Sequence, residues 1–164
     1  MNTDNAAVLL GVLDNNIILT KRSTKLRSFS GHICLPGGRC DDSDISYVDT
    51  AVREFNEEVD FEGTIEPLFY LLPETSIVSS QAVYPIVARL DGCINGFSDD
   101  EVDKIILLDT NEVSTNDFII NQEYPLIKHN RVLFYKGDII WGLTAHILYH
   151  FLISYKDLIR GAHA

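Results

Sequence analysis

Residues 37–61 read GGRCDDSDISYVDTAVREFNEEVDF: a glycine pair, an acidic loop, then a segment built as a helix with two unlike faces. A helix over 46–59 puts Val48, Val52, Phe55 and Val59, with Ala51 beside them, on one apolar stripe. Glu54, Glu57 and Glu58 fall at i, i+3 and i+4 and share another face. Ser46 with Asp49 three residues on supplies a capping-box start. One side is made for a core and the other for charge. Like-charged neighbours at this spacing repel, so a helix that keeps three calls for a compensating cation. All-oxygen donors suit a hard divalent ion, Mg2+ or Mn2+. Arg53, one turn before Glu57, is placed to orient it through an i,i+4 ion pair.

The formal charge of the 164-residue chain is -11, with thirteen Lys and Arg residues. Lys21, Arg22, Lys25 and Arg27 crowd just ahead of the glycine pair, and Arg39 follows it. A basic cluster on an acidic protein makes a local anion site and steers a charged ligand toward it. The overall acidity argues against sequence-independent nucleic-acid binding, which relies on neutralising phosphates.

Gly38, Arg53, Glu54, Phe55, Glu57, Glu58 and Phe61 resemble the Nudix box, G-x5-E-x7-R-E-U-x-E-E-x-G-U, where U is apolar. Two positions depart from it. The first box acid would fall on Ile45, and the nearest carboxylate is Asp44, so the loop is one residue longer. The box glycine after the paired glutamates is Asp60, which is expected to end the helix at positive φ, a conformation Asp tolerates better than most residues. A second motif precedes the box. Thr20, Arg22, Ser23, Arg27, Gly31, Pro36, Gly37 and Gly38 match the signature of the coenzyme A diphosphatase branch, which commonly carries the longer loop. Asp99–Val102 and Ile140–Ala145 resemble later stretches of that branch.

The resemblance implies an α/β fold, an α/β/α sandwich with a mixed sheet between helices. It also implies metal-dependent hydrolysis of the diphosphate of coenzyme A or an acyl-CoA. The products would be 3'-phosphoadenosine 5'-phosphate and 4'-phosphopantetheine or its acyl form. Glu54, Glu57 and Glu58, with the Gly38 carbonyl, would hold Mg2+ or Mn2+. Arg53 would fix the glutamates, and Arg22, Lys25, Arg27 and Arg39 would position phosphates. The general base would be Glu54 or Glu101, with Glu74 in reserve. Hydrolysis of another nucleoside diphosphate derivative, such as ADP-ribose or NADH, stays open. So does a non-catalytic module that binds a nucleotide or a protein.

A 46% hydrophobic composition fits one domain over residues 1–164 with a sizeable core. No apolar run reaches the roughly 18 residues of a membrane span. The first residues lack signal-peptide character, and Cys34, Cys40 and Cys93 show no metal-binding spacing. A reduced, cytoplasmic chain is therefore expected. Strand patterns lie at 6–13, 16–21, 33–35, 65–72, 82–90, 104–108 and 131–135. Helical ones lie at 46–59, 99–104 and 142–159. His146 and His150 stand one helical turn apart, a zinc spacing only if other ligands were supplied. Among Ile, Leu, Tyr and Phe they read as core histidines. Trp141 and Tyr84 read as packing positions, and His32 as a neighbour of the phosphate site.

Overall fold

The computed structural model describes residues 1–27, 29–75, 80–123 and 129–155. Along the chain run β1 (Ala6–Leu13), β2 (Asn16–Arg22), β3 (Ile33–Cys34), β4 (Gly37–Arg39), α1 (Tyr47–Glu58), β5 (Val59–Tyr70) and β6 (Glu74–Thr75). They are followed by β7 (Ala82–Phe97), β8 (Val102–Asp109), a 3-10 turn (Thr115–Asp117), β9 (Phe118–Ile120), β10 (Arg131–Tyr135), β11 (Asp138–Trp141) and α2 (Gly142–Ser154).

β1 lies parallel to β7 and antiparallel to β2 and β4, so the eight-stranded sheet is mixed. β3 and β8 pair with β2, and β5 and β6 with β7. β9, β10 and β11 form a separate three-stranded antiparallel sheet. Asp14 and Asn15 turn β1 into β2, both at positive φ (49° and 69°). These are residue types that tolerate the left-handed region two-residue hairpins require.

Period-two alternation sorts the core into two layers. Ala7, Leu9, Ile18, Ile86, Ala88 and Leu90 pack with Ala51 and Phe55 of α1. Leu10, Val12, Ile17, Leu19 and Val87 pack with Ala145, Ile147, Leu148 and Phe151 of α2. The sheet thus lies between the helices, the α/β/α arrangement expected from the sequence.

The apolar stripe of α1 is seated as read: Ala51, Phe55 and Val59 are buried, with Val48 and Val52 packed against them. Burying Phe55 alone is worth about 3 kcal/mol. Ser46 Oγ accepts from the Asp49 N–H at 3.2 Å, while Asp49 Oδ2 accepts from the Ile45 N–H at 3.1 Å. The cap therefore closes one residue earlier than in a standard box. Val59 is extended at φ -119° and the chain passes straight into β5. Asp60 pairs with Gly96 in that strand and does not turn at positive φ. No glycine is needed where no reversal occurs.

The helix expected at 99–104 is absent. Val102 and Glu101 donate their N–H groups to Ser98 O, closing a turn, and Val102 begins β8. β5 starts at Val59 instead of 65 and β7 runs on to Phe97, because these segments pair with each other as a long ribbon. β4, β6, β9 and β11 were too short to read from pattern. α2 ends at Ser154 with Tyr155 as its C-cap, and the rest of the helix expected over 142–159, residues 156–159, lies outside the described residues. His150 is exposed, against its reading as a core histidine. Among the described residues no helix is long and apolar enough to cross a membrane.

Candidate active site

The carboxylates of α1 meet β4, and β1 decides how closely. Gly37 and Gly38 pair with Val8 and Ala7. Neither is at positive φ; space is what demands glycine here. A Cβ on Gly37 would run into Ala7 O and lie 2.6 Å from Val8 Cγ1. One on Gly38 would lie 2.6 Å from the Glu54 carboxyl carbon. The two substitutions should therefore fail differently. Gly37→Ala is expected to lower the urea midpoint, costing about 1–3 kcal/mol because backbone must move. Gly38→Ala should leave that midpoint near wild type, since the end of a side chain can shift, but should depress turnover by displacing Glu54. Urea melts and initial rates on the two variants separate these outcomes.

Arg53 is the hub of the acidic cluster. Its Nε and Nη2 donate to Asp44 Oδ1 and Oδ2 at 2.9 and 2.8 Å. Nη1 donates to Glu54 at 3.0 Å and Glu57 at 3.1 Å, and Nη2 also reaches Arg39 O at 3.1 Å. The side chain of Asp44 is only 4% exposed. It also accepts from Thr50 Oγ1 at 2.8 Å and the Asp41 N–H at 2.9 Å. Arg53 holds the Asp44 carboxyl well below the usual carboxylate range, and Asp44 in turn raises the guanidinium. Ile45, which occupies the register of the first box acid, is 88% exposed. Asp44, one residue before it, is the carboxylate that meets Arg53 instead.

Glu58 is 6% exposed. Burial, then the charges of Glu54 and Glu101, push its carboxyl up to about 8, against weaker pulls from the Gly37 N–H and Arg22. Burial also raises Glu54, offset in part by Arg53. These carboxylates sit in the last turns of α1, the negative end of the helix dipole, with no basic residue there. Desolvated oxygens, mutual repulsion and an adverse dipole are the setting a hard divalent cation relieves. The residues fit such an ion. Glu101, on the turn before β8, is close enough to act on both Glu54 and Glu58.

A cavity of about 700 Å³ opens beside the cluster. Gly38, Arg39 and Glu58 line it, with Thr20 and Arg22 from β2 and Thr144 from α2. Lys25 and Arg27 are exposed on the turn after β2 and lie outside this lining. Aromatic rings also line the cavity: the His32 ring lies 5.5 Å from Phe29 and 4.8 Å from Trp141. Burial and Arg22 lower the His32 pKa. Cys34 also lines the cavity, and burial pushes its thiol up to about 11, away from the thiolate form. Glu74, the reserve base, is instead bonded to His146 Nε2 at 3.1 Å.

A family model described as the NUDIX domain matches residues 2–129. The chain belongs to the Nudix hydrolases. Enzymes of this family act on phosphorus-containing anhydrides, and they generally need divalent metal ions. An uncharacterized Nudix hydrolase, NudL, of Pectobacterium atrosepticum is 30% identical over 163 residues, covering 93% of this chain and 83% of its own. The NudL of Yersinia pestis (strain Pestoides F) is 31% identical over 154 residues, 88% of this chain and 76% of its own. A Nudix hydrolase structure from Nitrosomonas europaea superposes with TM-score 0.62 at 16% identity, over 96% of this chain and 75% of that one. RenU of M. smegmatis superposes with TM-score 0.61 at 13% identity, over 94% and 86%. These likenesses at low identity establish the fold.

Sequence reasoning named Gly38, Arg53, Glu54, Glu57, Glu58 and Glu101, which the structure places near one another, with Arg22 and Arg39 at the adjoining cavity. It left Asp44 without a task and took Trp141 for packing, although Trp141 is 47% exposed and lines the cavity. An exposed tryptophan next to a glycine at a strand–helix junction was the available signal. Tyr84, by contrast, does pack, stacked on Tyr47 at 3.8 Å.

Proposed function

We propose that this Nudix hydrolase cleaves the diphosphate linkage of coenzyme A or an acyl-CoA, releasing 3'-phosphoadenosine 5'-phosphate and 4'-phosphopantetheine or its acyl form. One observation carries the reading. Arg22, a residue of the coenzyme A diphosphatase signature, lines the same cavity as Gly38 and Glu58 and donates its backbone N–H to His32 O at 2.8 Å, beside the Phe29, His32 and Trp141 rings. A ligand with separated phosphates and a flat base needs such a combination: arginines for phosphate oxygens and ring faces for stacking.

In this reading Glu54, Glu57, Glu58 and the Gly38 carbonyl hold Mg2+ or Mn2+. Bound there, the ion supplies neutralisation of diphosphate charge and acidification of a water. Arg53, itself held by Asp44, fixes the directions of Glu54 and Glu57. Arg22 and Arg39 orient the phosphates, while exposed Lys25 and Arg27 add a steering field on an acidic molecule. Glu54 or Glu101 accepts the proton of the attacking water. The raised Glu54 and the nearness of Glu101 support both choices.

The test is a panel of coenzyme A, short- and long-chain acyl-CoA, ADP-ribose, NADH and nucleoside triphosphates, each with Mg2+ and with Mn2+. The expected result is a kcat/KM for coenzyme A or an acyl-CoA at least about tenfold above the rest, a margin of about 1.4 kcal/mol in transition-state binding. Mass spectrometry of the products should show both predicted halves. A higher kcat/KM for ADP-ribose or NADH would reject the substrate and leave the family untouched.

A further inference from the structure

We propose that Glu74, His129 and His146 form a second metal site, for Zn2+, apart from the all-oxygen cluster on α1. The three residues come from distant parts of the chain: β6, the segment before β10, and the second turn of α2. One donor atom of each lies within 4.8 Å of the other two. Glu74 Oε1 is 3.1 Å from His146 Nε2. Donors bound at about 2.0–2.1 Å around a tetrahedral zinc sit about 3.3 Å apart, so this pair already stands near ligand spacing.

His129 carries the argument further. It is 3% exposed, and its Nε2 lies 3.3 Å from Thr75 O. A carbonyl oxygen only accepts, so the ring proton is on Nε2 and Nδ1 is a bare lone pair. That Nδ1 is buried and has no hydrogen-bond partner among the described residues. Buried polar atoms are nearly always satisfied, and one that is not needs a reason. A Glu–His hydrogen bond would account for Glu74 and His146 as ordinary interior polar groups. It leaves His129 Nδ1 unexplained, although that ring lies 4.3 Å from the His146 ring. A histidine whose outer N–H is held by a backbone carbonyl while the other nitrogen stays free is the usual arrangement of a metal ligand. Two imidazoles and a carboxylate are donors that zinc takes, with a fourth position left to water. The helical pair His146 and His150 lacked partners in the sequence; the fold brings Glu74 and His129 to His146 instead.

The full chain, stripped with chelator and returned to millimolar Mg2+, is titrated with Zn2+ by calorimetry and with Co2+ by absorption spectroscopy. The expected result is one tightly held Zn2+ per chain despite the Mg2+, a low-coordinate Co2+ spectrum, and a Tm that rises with Zn2+. His129→Asn and His146→Asn should each weaken Zn2+ binding by about 100-fold or more, and Glu57→Gln should leave it unchanged. Zinc bound equally well by a folded His129→Asn variant would overturn the site. So would the absence of tight Zn2+ binding by the wild type, or its loss in Glu57→Gln. If circular dichroism shows His129→Asn unfolded, Glu74→Gln, at a half-buried position, decides by the same criteria. None of these readouts depends on which diphosphate the enzyme hydrolyses.

Discussion

Glu58→Gln is expected to lower kcat by about 10²–10³-fold or more while leaving the fold intact. Glutamine has nearly the shape of glutamate, so the packing around this buried position is preserved; what is lost is the charge. Turnover within a few fold of wild type would reject Glu58 as a metal ligand. Stability should move in the opposite direction. In the fold the Glu58 carboxyl is pushed from 4.5 up to about 8, so the folded chain holds this proton more tightly than the unfolded one. The resulting stabilisation is complete below about pH 4.5 and disappears as pH rises through about 8. Metal-free wild type should therefore show a Tm that falls between about pH 5 and 8. Glu58→Gln should lack this component of the fall, and added Mg2+ should reduce it in the wild type. Thermal melts of both proteins with and without chelator measure it. A wild-type Tm that is flat across that window would show that Glu58 is not desolvated as its burial requires.

The parts of this site that were legible in the sequence are those encoded locally. A helix displays its faces through spacing alone, so the stripe through Phe55 and the trio Glu54, Glu57 and Glu58 could be read directly. What was missed depends on partners far along the chain. Asp99–Lys104 looked like an acidic helix start, yet Val102 pairs with Arg22 and continues β2's neighbour as a strand; tertiary pairing overrode local propensity. Gly37 and Gly38 stand out in the sequence only as a glycine pair, and their need for glycine comes from Ala7, Val8 and Glu54, which spacing cannot reveal. Asp60 looked like a defective helix terminus because the box places glycine there; β5 starts at once and needs no reversal. Asp44 lies one residue from the expected register, and only the path of the loop brings it onto Arg53. Each of these misses is a non-local contact, whereas the faces of α1 are a repeat along the chain.

Separating Arg53 from Asp44 should produce the largest combined loss of stability and activity. Five hydrogen bonds leave the guanidinium: two to Asp44, one each to Glu54 and Glu57, and one to Arg39 O. Lysine carries the charge but not the planar fork, and cannot span these acceptors together. Arg53→Lys is therefore expected to reduce kcat/KM by about 100-fold, because Glu54 and Glu57 lose their shared donor. Asp44→Ala removes the buried partner that sets the guanidinium plane, and should cost about 3 kcal/mol in urea melts. Because the pair shares two bonds, the double variant should lose less than the sum of the singles, by about 1–3 kcal/mol. Strict additivity would mean that Asp44 acts elsewhere than on Arg53. The split between kinetic constants carries the rest: a positioning pair that orients carboxylates should lower kcat with little change in KM. A rise in KM at constant kcat would instead move Arg53 to direct contact with the substrate.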